Sequence, residues 1–330
     1  MFASVPHMSH LPLGTPPSRG PSRRAALRAT AATVTGVTAA AVAPGPRAEA
    51  AVPVAVSPAT ETAGGGPAPD ASHALRVMTF NLRYASETGP HPWSERRPVM
   101  RRLLRHERPH LLGTQEGLHG QLRDLAEDLG RRYGCVGLGR EGGSHGEFCA
   151  VLYDTERLVA EEYDHFWLSG TPSLIGSSTW GNTVVRMATW VRFTDLRTGA
   201  GFLALNTHLD HAHQYARERS AALITDRLGR PDPALPRVVT GDFNVPAHRN
   251  PVYDAMLGQG ALADTWDTAA ARGPQYATFH GYGPLVPDGD RIDWILVSPS
   301  VRVSRADINT FSEHGRFPSD HLPVQALLEL

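Results

Sequence analysis

At several separated points a polar or chargeable residue stands just after a short apolar run. Asn81 follows Leu75–Phe80, and Glu116 ends Leu111-Leu112-Gly113-Thr114-Gln115-Glu116. Asp242 and Asn244 stand in Gly241-Asp242-Phe243-Asn244, and Asp320 and His321 in Pro318-Ser319-Asp320-His321. Hydrolysis of a phosphate ester needs an electrophilic metal, an activated water and hydrogen-bond donors for the charge that develops. Mg²⁺ prefers oxygen ligands and keeps several waters, so one or two carboxylates and an amide oxygen suffice to hold it. Asn81 and Glu116 offer that set, with Asp320 a third candidate. Asp242 and Asn244 are two residues apart and project to the same side of an extended segment. One suits orienting and deprotonating water, the other a hydrogen bond to a phosphate oxygen. His321 adds an imidazole whose tautomer Asp293, in Arg291-Ile292-Asp293-Trp294, can fix.

Each residue alone also has a plainer reading. Asn81 can be a turn former at a strand end, Asp242 with Asn244 an Asx turn, and Asp293 the counterion of Arg291. His280 and His314 read as ordinary surface histidines. His211 and His213, beside His208 and Asp210, raise the question of zinc, but zinc wants a defined set of three or four ligands and no matching partner group stands out. The twelve arginines between positions 83 and 157 read mostly as solvated helix faces and loops.

Strands and helices must bring these groups together. Leu75–Phe80 alternates as a half-buried strand does, and Trp93–His106 spaces Val99, Leu103 and Leu104 helically until Pro109. A strand over 111–116 precedes a helix from Leu118 to Leu129, ended by Gly130. Tyr133–Leu138 and Phe148–Tyr153 flank a glycine-rich turn and predict a hairpin. Strands follow over Thr183–Thr194 and Phe202–Thr207, then a helix from Gln214 to Leu228 and a buried strand at Val238–Thr240. Ile292–Val297, Val301–Ile308 and Val324–Leu330 complete the set. Hairpins mixed with helical crossovers predict an α/β fold, a four-layer sandwich of two packed mixed sheets flanked by helices. If the hairpin turns about Gly142, Cys135 and Cys149 lie opposite each other, close enough to bridge. A bulge that shifts the register leaves two thiols instead.

The chain has 330 residues, 41% of them hydrophobic, and no lysine. Arg23-Arg24 precedes a weakly apolar Ala/Val/Thr run ending at Ala48-Glu49-Ala50, the order of a twin-arginine export signal with a small-x-small cleavage site. The run, broken by Thr30, Thr33, Thr35 and Gly36, is too polar for a permanent membrane span. Residues 1–50 thus read as a signal peptide, 51–73 as a flexible linker and 74–330 as one catalytic domain of a secreted protein. Beyond residue 50 the chain carries 27 arginines against 32 acids, a net charge of −5. That surface lacks the basic stripe that gives broad affinity for nucleic-acid backbones, although a bound cation supplies positive charge locally.

Taken in order, M-T-F-N (78–81), T-Q-E (114–116), N-T-H-L-D (206–210), G-D-F-N (241–244), R-I-D-W-I (291–295) and S-D-H (319–321) resemble the endonuclease/exonuclease/phosphatase superfamily. One tetrapeptide carries little; six in the right order carry much, because the plainer readings would all have to coincide. The resemblance implies that Asn81 and Glu116 are metal-site residues, with Asp320 a metal-proximal acid. It makes Asp242 the aspartate that orients the nucleophilic water, Asn244 its transition-state partner, and Asp293 with His321 the Asp–His dyad. It further implies a phosphate-facing role for His208, with Glu147 as that histidine's acid partner and Arg186 as a phosphate-contacting arginine. The expected activity is phosphoester hydrolysis with Mg²⁺, for which Mn²⁺ can substitute. A phosphatase or phosphodiesterase of open substrate leads, and a secreted nuclease on DNA or RNA is the runner-up. A binding module that lost its chemistry is disfavoured because Glu116, Asp242, Asn244, Asp293 and His321 are all present. No protein partner is evident.

Overall fold

The structure, a computed structural model, describes residues 73–330 apart from 231, 259 and 260. The export segment 1–50 and residues 51–72 of the linker lie outside the described residues. β1 (Leu75–Asn81), β2 (Leu111–Leu118), β3 (Tyr133–Val136) and β4 (Glu147–Asp154) open one sheet. β5 (Leu158–Trp167), β6 (Met187–Asp195), β7 (Gly201–His208), β8 (Arg237–Asp242) and β9 (Ala263–Asp264) build a second. β10 (Ala271–Arg272) returns to the first sheet, β11 (Asp293–Val297) joins the second, and β12 (Arg302–Ile308) and β13 (Val324–Glu329) finish the first. The orders are β10-β12-β13-β1-β2-β4-β3 and β5-β6-β7-β8-β11-β9. Parallel pairs (β1 with β2, β7 with β8) sit at the centre of each sheet among antiparallel neighbours.

Side-chain alternation makes the layers. Val77, Leu111, Ala204, Val238 and Ile295 point into one shared core between the sheets. Their neighbours Met78 and Leu112 face the other way, onto α1 (Trp93–Glu107) and α2 (His119–Leu129) through Met100, Leu103, Leu122 and Leu125. Leu203, Leu205, Val239 and Leu296 likewise meet α3 (Gln214–Leu228) and α4 (Pro251–Leu257) through Ala221, Ile224, Val252 and Met256. Three apolar seams therefore separate four layers, helix, sheet, sheet, helix, as the pattern of apolar runs predicts. Each fully buried leucine or valine in them contributes about 1.5–3 kcal/mol of transfer free energy. Among the described residues no helix is long and apolar enough to cross a membrane.

One strand goes unpredicted and one expectation changes. β5 escapes the period-two reading because Glu161, Glu162, Tyr163 and Asp164 leave it exposed on both faces, as suits the charged edge of a sheet. The hairpin does not turn about Gly142. Cys135 faces Leu152, and Gly139 bridges to Phe148, which puts the centre of the turn between Gly143 and Ser144. Gly142, Gly143 and Gly146 take positive φ there (94°, 57° and 75°), the backbone that lengthens the loop. Cys149 lies opposite no cysteine, and both thiols are free.

Candidate active site

Beneath the site the sheets are pinned by polar side chains rather than apolar ones. Asn206 on β7 donates across to the backbone carbonyls of Thr114 (2.8 Å) and Ala150 (2.9 Å) in the other sheet. Its Oδ1 accepts from Gln115 (2.7 Å) and Thr240 (3.1 Å), and Gln115 also donates to Thr79 (3.1 Å). All but Thr240 of these four side chains are wholly buried, and Thr240 is nearly so. A methyl group on Gly113 would collide with Thr240 Oγ1 and Asn206 Oδ1, so the close approach of the sheets requires a glycine there. The motif order singled out Gln115 and Asn206 without giving them a task; their task is this floor.

Above the floor, strand ends supply the acids. The pairing of β2 with β4 shifts register between Thr114 and Gly117, and Glu116 takes a left-handed backbone (φ 61°) inside that bulge. Asn81, at the end of β1, donates from Nδ2 to Glu116 Oε1 (3.0 Å) and to Asp242 Oδ2 (2.9 Å). Asp242 ends β8 and faces Asp293, the first residue of β11, directly across the ladder. Asp293 Oδ2 accepts from His321 Nδ1 at 3.0 Å, and His321 Nε2 lies 3.8 Å from Asp242 Oδ2. Burial, then the charge of Asp293, push the Asp242 carboxyl up to about 7. Burial by itself would lower His321, but the Asp293 carboxylate outweighs it and raises the imidazole to about 10. Asp293 is not the counterion of Arg291, which pairs with Asp264 at 2.8 Å. Asp320 stands beside Arg83 (3.8 Å), and Ser319 ties its loop to β1 by donating to Asn81 O at 2.7 Å.

A basic wall faces these acids. Arg186, just before β6, donates to Nδ1 of His208 at 2.8 Å. A guanidinium has no acceptor, so the neutral ring carries its proton on Nε2, 3.4 Å from Asp242 Oδ2. Burial and the neighbouring Arg186 charge hold His208 well below the usual imidazole range. Asn244 Nδ2 donates to Leu209 O at 3.0 Å and lies 2.9 Å from the same Nε2, a meeting of two donors that leaves both free to turn to an incoming oxygen, while its backbone N–H donates to Asp242 Oδ1 at 2.9 Å. Glu147 does not pair with His208, as the resemblance implies it should. Its carboxylate is taken by Arg140 at 2.6 Å and lies 3.8 Å from Arg186, whose guanidinium stands between acid and imidazole.

The donor set suits a divalent cation. Glu116, Asp242, Asp293 and Asp320 are hard oxygen donors, and Asp293 Oδ1 is buried with no hydrogen-bond partner. Asn81, expected to ligate through its oxygen, instead turns its nitrogen between Glu116 and Asp242, and its Oδ1 accepts from Arg83 N at 2.9 Å. Among the described residues, the sets of three or more His, Cys, Asp or Glu side chains whose ligand atoms all lie within 4.8 Å of one another are Asp242, Asp293, His321 and, elsewhere, His248, Asp264, Asp267. Arg291 and Tyr253 already occupy the second group. The zinc reading fails for residues 208–213: Asp210 spends its carboxylate on the N–H groups of Thr183, Ala212 and His213.

Arg96 was among the arginines read as solvated, yet it is buried. It donates to five carbonyls, of Leu82, Arg83, Tyr84, His91 and Pro318, and so binds the loop after β1 to the Asp320 loop. Arg157 is likewise buried, against Asp195 at 2.6 Å. His280, read as a surface histidine, packs on Phe317 (ring centroids 4.6 Å apart) and donates its backbone N–H to Asp320 O.

The chain is similar to several solved structures. An endonuclease/exonuclease/phosphatase from Bacteroides vulgatus is 34% identical (TM-score 0.74), covering 78% of this chain and 99% of its own. The mannosyl-6-phosphatase of Bacteroides thetaiotaomicron VPI-5482 is 36% identical (TM-score 0.72), covering 78% and 100%. TDP2 of D. rerio, solved with a single-stranded DNA product, is 13% identical (TM-score 0.61; 78% and 99% covered), a likeness of fold alone. A search of curated protein sequences returns no match. The model of the endonuclease/exonuclease/phosphatase family, a family of phosphoester hydrolases, matches residues 78–321 from the strand of Asn81 through to His321, and the chain belongs to that family.

Proposed function

We propose that the chain is an exported, Mg²⁺-dependent phosphatase acting on a small phosphorylated metabolite, with a sugar phosphate the leading class. One observation carries the reading: acids at strand ends face a neutral histidine, an amide and an arginine across one buried cleft. The 36% identity to a mannosyl-6-phosphatase supports the substrate class, and the net charge of −5 beyond residue 50 speaks against a broad nucleic-acid surface. Export rests on the Arg23-Arg24 pair, the Ala/Val/Thr run and Ala48-Glu49-Ala50.

Glu116 and Asp320 would hold the cation, with Asn81 alongside them. When bound there, Mg²⁺ supplies Lewis-acid polarisation of a phosphoryl oxygen. Asp242, unprotonated, accepts a hydrogen bond from the attacking water and draws off its proton. Asn244 holds Asp242 through its backbone N–H and turns its amide toward His208. Arg186 and His208 Nε2–H present donors to the charge that grows on the phosphoryl group. His321, kept charged by Asp293, stands ready to stabilise or protonate the departing oxygen. The test is hydrolysis with Mg²⁺ of mannose 6-phosphate, a phosphodiester, sphingomyelin, DNA and RNA by the purified protein. Turnover of DNA or RNA well above that of every monoester would move the chain to the nuclease reading. N-terminal sequencing of the secreted form should find Ala51 first; an intact Met1 on purely cytoplasmic protein would end the export reading.

A further inference from the structure

On the basic wall two guanidiniums share one carboxylate. Arg140 Nη1 lies 2.6 Å from Glu147 Oε2, and Arg186 Nη1 lies 3.8 Å from the same oxygen. The three side chains are 16%, 20% and 6% exposed, so a surplus positive charge is held with little water around it. Glu147 balances only one of the two guanidiniums, and the next acids, Glu116 on the cavity wall and Asp242 behind His208, are the ones placed to face a cation, so the second guanidinium is left for an anion. Nε of both arginines is buried and has no acceptor. His208 adds no charge, because its Nδ1 accepts from Arg186 at 2.8 Å and so carries no proton. Arg140, Arg186, Glu116, Glu147 and His208 line one small cavity, so the surplus faces the carboxylate side of the same cleft.

Arg140 is also held in place. Its backbone N–H donates to Glu147 O at 2.9 Å, and its carbonyl accepts from Trp167 Nε1 at 2.6 Å. Only the side chain is left to serve a ligand. A phosphate monoester carries close to two negative charges at neutral pH and three terminal oxygens. A diester carries one charge and two such oxygens. One guanidinium is enough for the second; the first offers work for two.

Resting on the phosphatase reading above, we propose that Arg140 is a specificity-determining residue which, paired with Arg186, grips the terminal oxygens of a phosphate monoester and selects it over a diester. The resemblance already implies phosphate contact for Arg186; the discrimination belongs to Arg140. The test compares kcat/KM of wild type, Arg140→Gln and Arg140→Lys on p-nitrophenyl phosphate and bis(p-nitrophenyl) phosphate with Mg²⁺. Arg140→Gln should lose about 100-fold on the monoester, the worth of a charge-assisted pair of hydrogen bonds, and less than about threefold on the diester. Arg140→Lys keeps the charge without the fork and should recover about tenfold. Inorganic phosphate should raise the melting temperature of wild type and do so far less for Arg140→Gln. Equal losses on both esters, or none, would overturn the assignment and leave Arg140 as a loop anchor. Should Arg140→Gln fail to fold, Arg140→Lys decides: a wild-type monoester-to-diester ratio overturns the proposal and a reduced one upholds it. A wild-type protein that cleaves neither of these esters nor mannose 6-phosphate defeats the phosphatase reading itself, whereas cleavage with an unchanged ratio defeats only the role of Arg140.

Discussion

The acid wall and the basic wall of the cleft are placed by different means. Asn81, Asp242 and Asp293 stand at strand ends, where backbone ladders fix them, and Glu116 at a bulge inside β2. Arg140 and Arg186 come from segments outside the strands, and their positions depend on Glu147, Trp167 and each other. Geometry set by a sheet is stiff and suits groups that move protons and hold charge at fixed points. Geometry set by loops adapts, and suits groups that read the part of the substrate that differs between relatives. Chemistry should thus fail when the acid wall changes, and selectivity when Arg140 does.

The sharpest break lies at Asp242. Asp242→Asn keeps the hydrogen-bonding shape but removes the base, and kcat should fall about 10³-fold, within the range of general acid–base roles, with circular dichroism unchanged. Activity within tenfold of wild type would mean that water is activated elsewhere.

Glu116→Gln ought to act through the metal instead. Removing a ligand charge should cost about 100-fold at low Mg²⁺, with much of it restored at high Mg²⁺. A loss that no concentration of Mg²⁺ or Mn²⁺ repairs would take Glu116 out of the metal site.

The pH profile probes the coupling within the acid wall. Asp242, raised to about 7, is protonated and idle below that pH, so the rate should rise about tenfold per unit up to it. His321, raised to about 10, keeps its proton until then, so the rate should fall above pH 10. A bound cation favours the ionised Asp242 and moves the acid limb lower. Asp293→Asn removes the charge that raises both groups and should shift both limbs down. A variant profile that superimposes on wild type would show that Asp293 does not set them.

The smallest effect belongs to His211→Ala. His211 is exposed and meets Arg186 only at 3.4 Å, so activity should stay within about twofold. Its abolition, with Asp242→Asn near normal, would reverse the assignment of the whole site.

Much of the acid wall was legible in the sequence because strand ends announce themselves: an apolar run stops, and the next polar side chain has one direction in which to point. The four layers were legible for the same reason, through alternation at Val77 and Met78 or Val238 and Val239. Arg140 was not, since it has no periodic neighbours and sits in a glycine loop like any surface residue, whereas Arg186, His208 and Asn244 were marked by the ordered motifs and their spacing. Arg96 deceived in the opposite way. It lies on a helix rich in arginine, and only the five carbonyls that converge on it distinguish it from its solvated neighbours. Glu147 was assigned the wrong partner because spacing shows which residues share a neighbourhood, not which one stands between two others.

Gly113 narrows the routes by which such an enzyme can diversify. Its bare backbone sits under the reaction centre against Asn206 and Thr240, and even one methyl group there meets a hydrogen-bonded side chain of the opposite sheet. Inheritance and protein engineering face the same restriction: the spacing between the sheets admits no gradual series of single substitutions. New substrates have to be won at the rim, by exchanging segments such as 140–146, 169–183 and 279–290, over a foundation that is kept whole or lost.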